Sequence, residues 1–230
     1  MAVKTLAQWL EQTFGYVCND LTLFEAALTH RSAGNPHNER LEFLGDAVLN
    51  CVSATLLFQH FKHAAEGELS RYRASLVSGE SLAVIAIQCQ IGDYLRLGQG
   101  ELKSGGFRRK SILADALEAI FGAVYLDGGF AAAAQVIEHL LAKRLPELPE
   151  ASQLKDPKTK LQEALQSRAV PLPEYLIESV SGEQHAQVFK VRCDIPSLNL
   201  RAYGQGGSRR AAEQDAAQHI FEQLNQLWGR

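Results

Sequence analysis

The sequence predicts a two-domain chain: an all-α domain followed by a small α+β domain of order α-β-β-β-α. Three observations predict it. Apolar residues recur at helical spacing through residues 6 to 145, as in Leu41-Leu44-Val48 and Leu82-Ile85-Cys89. Prolines and acids then cluster without periodicity at Pro146, Glu147, Pro149, Glu150, Ser152 and Pro157. Beyond them the pattern changes from a period of 3.6 to a period of 2. The expected organisation is a helical domain over 1–145, a linker over 146–155 and an α+β domain over 156–227.

Each element follows from local pattern. Glycines and short polar turns separate the helical runs of the first part. Residues 157–168 read as a helix. Residues 174–181 and 187–195 read as strands, the second with Val188, Lys190 and Arg192 alternating against Phe189, Val191 and Cys193. A third strand is expected over 198–204. Ser208 opens a last helix, which carries Ala212, Ala216, Ile220 and Leu224 on one stripe.

Composition bounds the function. The chain has 230 residues, 46% hydrophobic and 21% charged, which excludes a disordered chain. A net charge of −3 and a pI near 6.2 do not suggest nucleic acid as a partner. The charge is uneven, however: residues 1–154 hold 13 basic and 17 acidic side chains, and the rest hold 10 and 9. Cys18, Cys51, Cys89 and Cys193 form no CxxC pair, so they read as single reduced thiols of a cytoplasmic protein. Met1 to Asp20 has no basic region followed by a long apolar run, and Ala47 to Phe58 is interrupted by Asn50, Ser53 and Thr55. Neither secretion nor a membrane partner is expected.

Two helical runs carry carboxylates on an unusual face. In Asn38 to Leu49, Glu42 and Asp46 are four apart and share a face, with Glu39 one turn before them. Their neighbours Leu41, Phe43, Leu44, Ala47, Val48 and Leu49 are apolar, as in an otherwise buried helix. In Ser111 to Gly122, Asp115 and Glu118 are three apart and again flanked by apolar residues. An isolated buried carboxylate costs several kcal/mol unless it is paired, protonated or metal-bound. No Lys or Arg within either run can pair with these acids across one turn; Arg40 is nearest and projects elsewhere. Four facing carboxylates would make a hard-oxygen site for Mg²⁺ or Mn²⁺. The competing reading makes each acid a solvated helix residue or the partner of a distant base. His30, His37 and His60 lack ligand spacing.

The same residues carry a resemblance. NERLEFLGDAVL, Asn38 to Leu49, resembles the signature stretch of the bacterial ribonuclease III family. Leu28 to Ser32, Glu66 to Ser70, Gly92 to Gly98, SILADALEA at Ser111 to Ala119, and Tyr125 to Gly129 resemble further segments of the family, in its order. Residues 156–226 resemble a double-stranded-RNA-binding domain. The likeness runs from about Leu6 to Leu227; Gln88-Cys89-Gln90-Ile91 is more polar than the family pattern.

The resemblance implies an all-α endonuclease domain whose metal-binding acids are Glu42, Asp46, Asp115 and Glu118, the four that helical geometry singles out. It implies Mg²⁺, with Mn²⁺ as a substitute. Asp46 and Glu118 rank as the acids nearest the attacking water. Glu39 matches an upstream acid with a substrate or interface role, and Glu66 an acid near a dimer interface. The implied reaction is hydrolysis of double-stranded RNA by a homodimer, leaving 5′-phosphates, 3′-hydroxyls and short 3′ overhangs. Precursors of rRNA, mRNA and tRNA are the implied targets. No Ser-His-Asp or Cys-His arrangement suggests a covalent route.

For RNA binding, Ser208, Arg209 and Arg210 fall at a helix start where phosphates bind. Gln162, Glu163 and His185 fall where such domains touch the minor groove. Gly105, Gly106 and the run Arg108-Arg109-Lys110 precede the second acidic helix, where contact with the RNA backbone is weighed evenly against a solvated loop. Two other functions are weighed: a catalytically silent RNA-binding regulator, and a helical metal-binding protein unrelated to RNA. The intact acids oppose the first and the C-terminal domain opposes the second.

Overall fold

The computed structural model describes residues 4–183 and 186–229. The chain divides into two compact units, Met1–Ala151 and Ser152–Arg230. The first is helical: α1 Leu6–Phe14, α2 Leu21–Ala27, α3 Glu39–His60, α4 Glu66–Leu76, α5 Gly79–Gln88, α6 Gln99–Lys103 and α7 Lys110–Ala142. Local chemistry sets the ends. Thr5 and Gln8 form a reciprocal capping box on α1, and the Asp20 carboxylate caps α2 by accepting from the Thr22 N–H. The α7 segment is broken at Gly129, whose φ of +79° favours glycine.

Helices α3 and α7 form the central pair, and α1, α2, α4 and α5 bury apolar residues around them. Trp9, Leu10 and Phe14 of α1 and Leu82, Ile85 and Ala86 of α5 join Leu49, Val52, Leu117, Ile120 and Phe121 in one core. By length and composition, α3 and α7 could each cross a bilayer. Here their aliphatic residues fill the centre of the unit, and both helices carry carboxylates.

A carboxylate also braces the unit. Just before the break in α7, Asp127 accepts from Tyr16 Oη at 2.7 Å and from the N–H groups of Asn19 and Asp20 at 2.8 Å each. It thereby fixes the α1–α2 connection against α7. The expected linker begins as packed chain: Leu145–Glu147 is a 3₁₀ turn, and buried Ala151 donates its N–H to Tyr72 Oη at 3.1 Å.

The second unit runs α8 Pro157–Gln166, β1 Glu174–Ser181, β2 Val188–Ile195, β3 Leu200–Gly206 and α9 Arg209–Trp228. This is the α-β-β-β-α order expected from the pattern. The sheet is antiparallel, β1-β2-β3, pairing Glu174 with Asp194 and Ile195 with Leu200. A bulge lies between Ile177 and Ser179. Alternation in β2 puts Val191, Cys193 and Ile195 in the core with Leu161, Leu165, Ala216, Ile220 and Leu224. Close approach of α9 to β3 requires Gly204, where a Cβ would lie 2.2 Å from the Ala216 nitrogen. The third strand starts two residues later than expected, because Pro196 opens a 3₁₀ turn through Leu198.

Candidate metal centre and nucleic-acid interface

Two glycines build the acidic site. A Cβ at Gly45 on α3 would lie 1.8 Å from the Glu118 carbonyl oxygen on α7. One at Gly122 on α7 would lie 2.2 Å from the Leu41 carbonyl oxygen on α3. The backbones therefore touch, and the carboxylates one turn away are carried together. Oxygens of Glu42, Asp115 and Glu118 all lie within 4.8 Å of one another.

Asp46 stands outside that trio. It is exposed, and its Oδ1 accepts from Asn50 Nδ2 at 2.8 Å on its own helix. Glu39 lines the adjacent cavity and pairs with Arg31 at 3.3 Å. Glu66 opens α4, accepts from Ser70 Oγ at 2.9 Å and is not part of the trio.

The site carries uncompensated negative charge. Among the described residues no Lys or Arg forms an ion pair with Glu42, Asp46, Asp115 or Glu118. Burial, then the charges of Asp46, Asp115 and Glu42, push the Glu118 carboxyl up to about 8. Burial and then Asp115, Glu39 and Asp46 raise Glu42. Burial also raises Asp115, with His30 opposing. Three converging hard oxygen donors that no Lys or Arg pairs with among the described residues fit a divalent cation.

Beside the trio lies a polar cavity of about 630 Å³, whose lining includes Glu42, Asp115, His30, Asn38 and Arg109. Arg109 is held by Glu101 at 3.0 Å and by Ser104 Oγ at 3.3 Å. The rest of the basic run points to other partners: Lys110 pairs with Glu80 at 3.4 Å, and Arg108 lies over the Phe107 ring.

The picture of α3 as otherwise buried needs correction. Phe43 is 80% exposed, Phe58 is 71% exposed, and Ala47 and Cys51 between them are also exposed. Only one side of α3 packs on α7; these four residues form an apolar stripe at helical spacing on another.

In the second unit, Ser208 caps α9 by accepting from the Ala211 N–H at 3.2 Å. Arg209 and Arg210 follow, both exposed. Buried Glu213 joins Arg209, at 2.8 Å, to Lys158 of α8, at 2.6 Å, and so ties the starts of the two helices together. Gln162 and Glu163 lie exposed on α8, and Lys155 pairs with Glu163 at 2.5 Å. His185 lies outside the described residues.

Sequence reading overlooked Gly45, Gly122 and Glu213. Glycine inside a helix costs about 1 kcal/mol relative to alanine, so its presence in two apolar helical runs was a usable signal of backbone contact.

Known proteins share this arrangement. Residues 20–145 match the family model described as ribonuclease-III-like, and residues 157–224 match the double-stranded RNA binding motif. A protein named Ribonuclease 3 from Aromatoleum aromaticum is 54% identical over 215 residues, covering 94% of this chain and 96% of that one. Another of that name, from Shewanella amazonensis, is 54% identical over 224 residues, covering 97% and 99%. The solved nuclease domain of ribonuclease III from Campylobacter jejuni has 45% identity and a TM-score of 0.58, covering 60% of this chain and 98% of that one. That Campylobacter domain is described as flexible in a region involved in dimer formation. With both units matched in order and relatives alike over nearly their whole length, the chain belongs to the ribonuclease III family.

Proposed function

We propose that this protein is an endoribonuclease that hydrolyses phosphodiester bonds in double-stranded RNA with a divalent metal, Mg²⁺ or Mn²⁺, at Glu42, Asp115 and Glu118. The observation that carries the reading is the convergence of these three carboxylates, with no Lys or Arg paired to them among the described residues, beside a polar cavity. The RNA-binding motif of the second unit supplies the substrate class.

In the reaction, a water oxygen bonds to phosphorus and the P–O3′ bond breaks. The products are a 5′-phosphate and, after protonation, a 3′-hydroxyl. A bound divalent ion supplies Lewis-acid polarisation of the phosphate and a lowered pKa for water. Glu42, Asp115 and Glu118 hold that charge in place. Asp46, held by Asn50 at the edge of the trio, accepts hydrogen bonds from water entering the site. Glu39 keeps Arg31 at the cavity wall.

Binding belongs to the second unit. Arg209 and Arg210 meet phosphates at the start of α9, while Gln162 and Glu163, together with His185, address the minor groove. Recognition is by A-form shape. The stripe Phe43, Ala47, Cys51 and Phe58 supports assembly as a homodimer, in which two sites cut both strands and leave short 3′ overhangs. Glu66 belongs to the interface side of this reading. Structured precursors of rRNA, mRNA and tRNA in the cytoplasm are the substrates.

Incubation of long duplex RNA with the protein, in Mg²⁺ or in EDTA, tests the proposal. Cleavage confined to Mg²⁺ is expected. Binding without cleavage would make the protein a silent binder, and neither would refute both parts.

A further inference from the structure

The cavity beside the acids has a wall formed by the connection between α2 and α3. His30 on that wall is held by Ser32, which lines the same cavity. Its Nδ1 accepts from the Ser32 backbone N–H at 3.2 Å and lies 2.8 Å from Ser32 Oγ. Ser32 Oγ in turn accepts from the Gly98 N–H at 2.9 Å. The main chain adds to the brace, since the His30 N–H donates to the Arg96 carbonyl at 3.0 Å. A side chain at position 98 could not be accommodated, because a Cβ there would lie 2.2 Å from the Ser32 carbonyl oxygen.

The bond from the Ser32 N–H sets the tautomer. A backbone N–H can only donate, so Nδ1 is an acceptor. The Ser32 hydroxyl, with Gly98 donating to its oxygen, directs its own hydrogen at the same Nδ1. The neutral ring therefore carries its proton on Nε2. Among the described residues Nε2 has no hydrogen-bond partner, and the half-buried ring lines the cavity together with Glu42 and Asp115.

We propose that His30 is a substrate-positioning residue that donates its Nε2–H to a non-bridging oxygen of the RNA phosphate entering the acidic cavity. The ring is not placed to act as a general base. Accepting a proton at Nε2 from the neutral state would first require moving the proton to Nδ1, which would reverse the bond with the Ser32 hydroxyl and break the one from the Ser32 N–H. A donor held by Ser32 and Gly98 instead costs little ordering when the phosphate arrives. This inference rests on the reading of the acidic cavity as the cleavage site.

The test is steady-state cleavage of a duplex RNA in Mg²⁺ by the full chain and its His30 and Ser32 variants. His30→Ala should lower kcat by roughly 10- to 100-fold, the range for a hydrogen bond to a charged group, and leave KM nearly unchanged. His30→Gln, whose amide nitrogen reaches about as far as Nε2, should recover much of that loss; the shorter His30→Asn should not. Ser32→Ala, which frees the ring without removing it, should reduce kcat less than His30→Ala at an unchanged melting temperature. Cleavage by His30→Ala within twofold of the wild type would overturn the proposal. So would a Gln variant no better than Ala or Asn. Glu118→Gln runs alongside: if it is inert while His30→Ala is fully active, only the role of His30 fails. If Glu118→Gln itself cleaves, the reading of the cavity as the cleavage site fails.

Discussion

Replacing Gly45 with alanine tests whether the contact between α3 and α7 sets the acidic site. The new Cβ would sit 1.8 Å from the Glu118 carbonyl oxygen and 2.9 Å from the Gly122 nitrogen. Cβ contacts essentially never fall below 3.0 Å, so the helices must separate locally by about 1.2 Å. The obstacles are backbone atoms, which cannot rotate away. Overpacking of this kind costs about 1–3 kcal/mol. In a unit of this size that lowers the melting temperature by roughly 2–4 °C per kcal/mol. Glu42 rides on α3, while Asp115 and Glu118 ride on α7, so the same displacement opens the trio. A misplacement near 1 Å can cost about 100-fold in rate. The assay is single-turnover cleavage of duplex RNA at saturating enzyme, with calorimetry on the same sample and a binding measurement as control. Binding should persist, because the second unit is untouched. Wild-type cleavage together with a wild-type melting temperature would refute the idea that backbone contact at Gly45 builds the site.

Three further outcomes follow from named groups. In EDTA, the melting temperature should fall as pH rises from 5 toward 8. Glu118 ionises in the unfolded chain near the ordinary carboxylate value but in the folded site only at about 8, so folding loses stability across that window; Glu118→Gln should flatten the fall, and an identical pH dependence in the variant would count against it. Asp127→Ala should cost about 1–3 kcal/mol in urea unfolding, since three close donors are left without their acceptor. Burial raises the Asp127 carboxyl, but bonds from Asn19, Tyr16 and Asp20 outweigh it and hold it low. Its contribution is therefore present above the ordinary carboxylate range and lost as pH falls through the depressed value, so the variant should lose less stability than the wild type on acidification below about pH 4. Arg209→Ala with Arg210→Ala should weaken binding to all duplex sequences alike and reduce the slope of log K against log salt by about one for each phosphate no longer neutralised; an unchanged slope would remove both residues from the interface.

Much of this was legible in the residues because the signals were periodic. The switch from spacing of 3.6 to alternation at β2 separated the two units, and carboxylates three or four apart marked one face each of α3 and α7. Side-chain period cannot give the depth at which two helices meet. That depth is set by Gly45 and Gly122, and it gathers Glu42, Asp115 and Glu118 while leaving Asp46 at the edge with Asn50. Amphipathicity likewise could not reveal that α3 has two apolar sides, one packed on α7 and one bearing exposed Phe43 and Phe58. Pairings distant in sequence were hidden for the same reason. Glu213 tying Lys158 to Arg209, and Asp127 holding the N–H groups of Asn19 and Asp20, join elements that no local pattern relates.

Equilibrium binding of Mn²⁺, followed by its electron paramagnetic resonance signal in the RNA-free protein, tests the central claim most directly. The wild type should bind, and its affinity should weaken as pH falls below about 8, because protons compete at Glu118. Glu118→Gln should lose at least tenfold in affinity with the fold intact. Equal Mn²⁺ affinity in wild type and Glu118→Gln would contradict a metal centre at Glu42, Asp115 and Glu118.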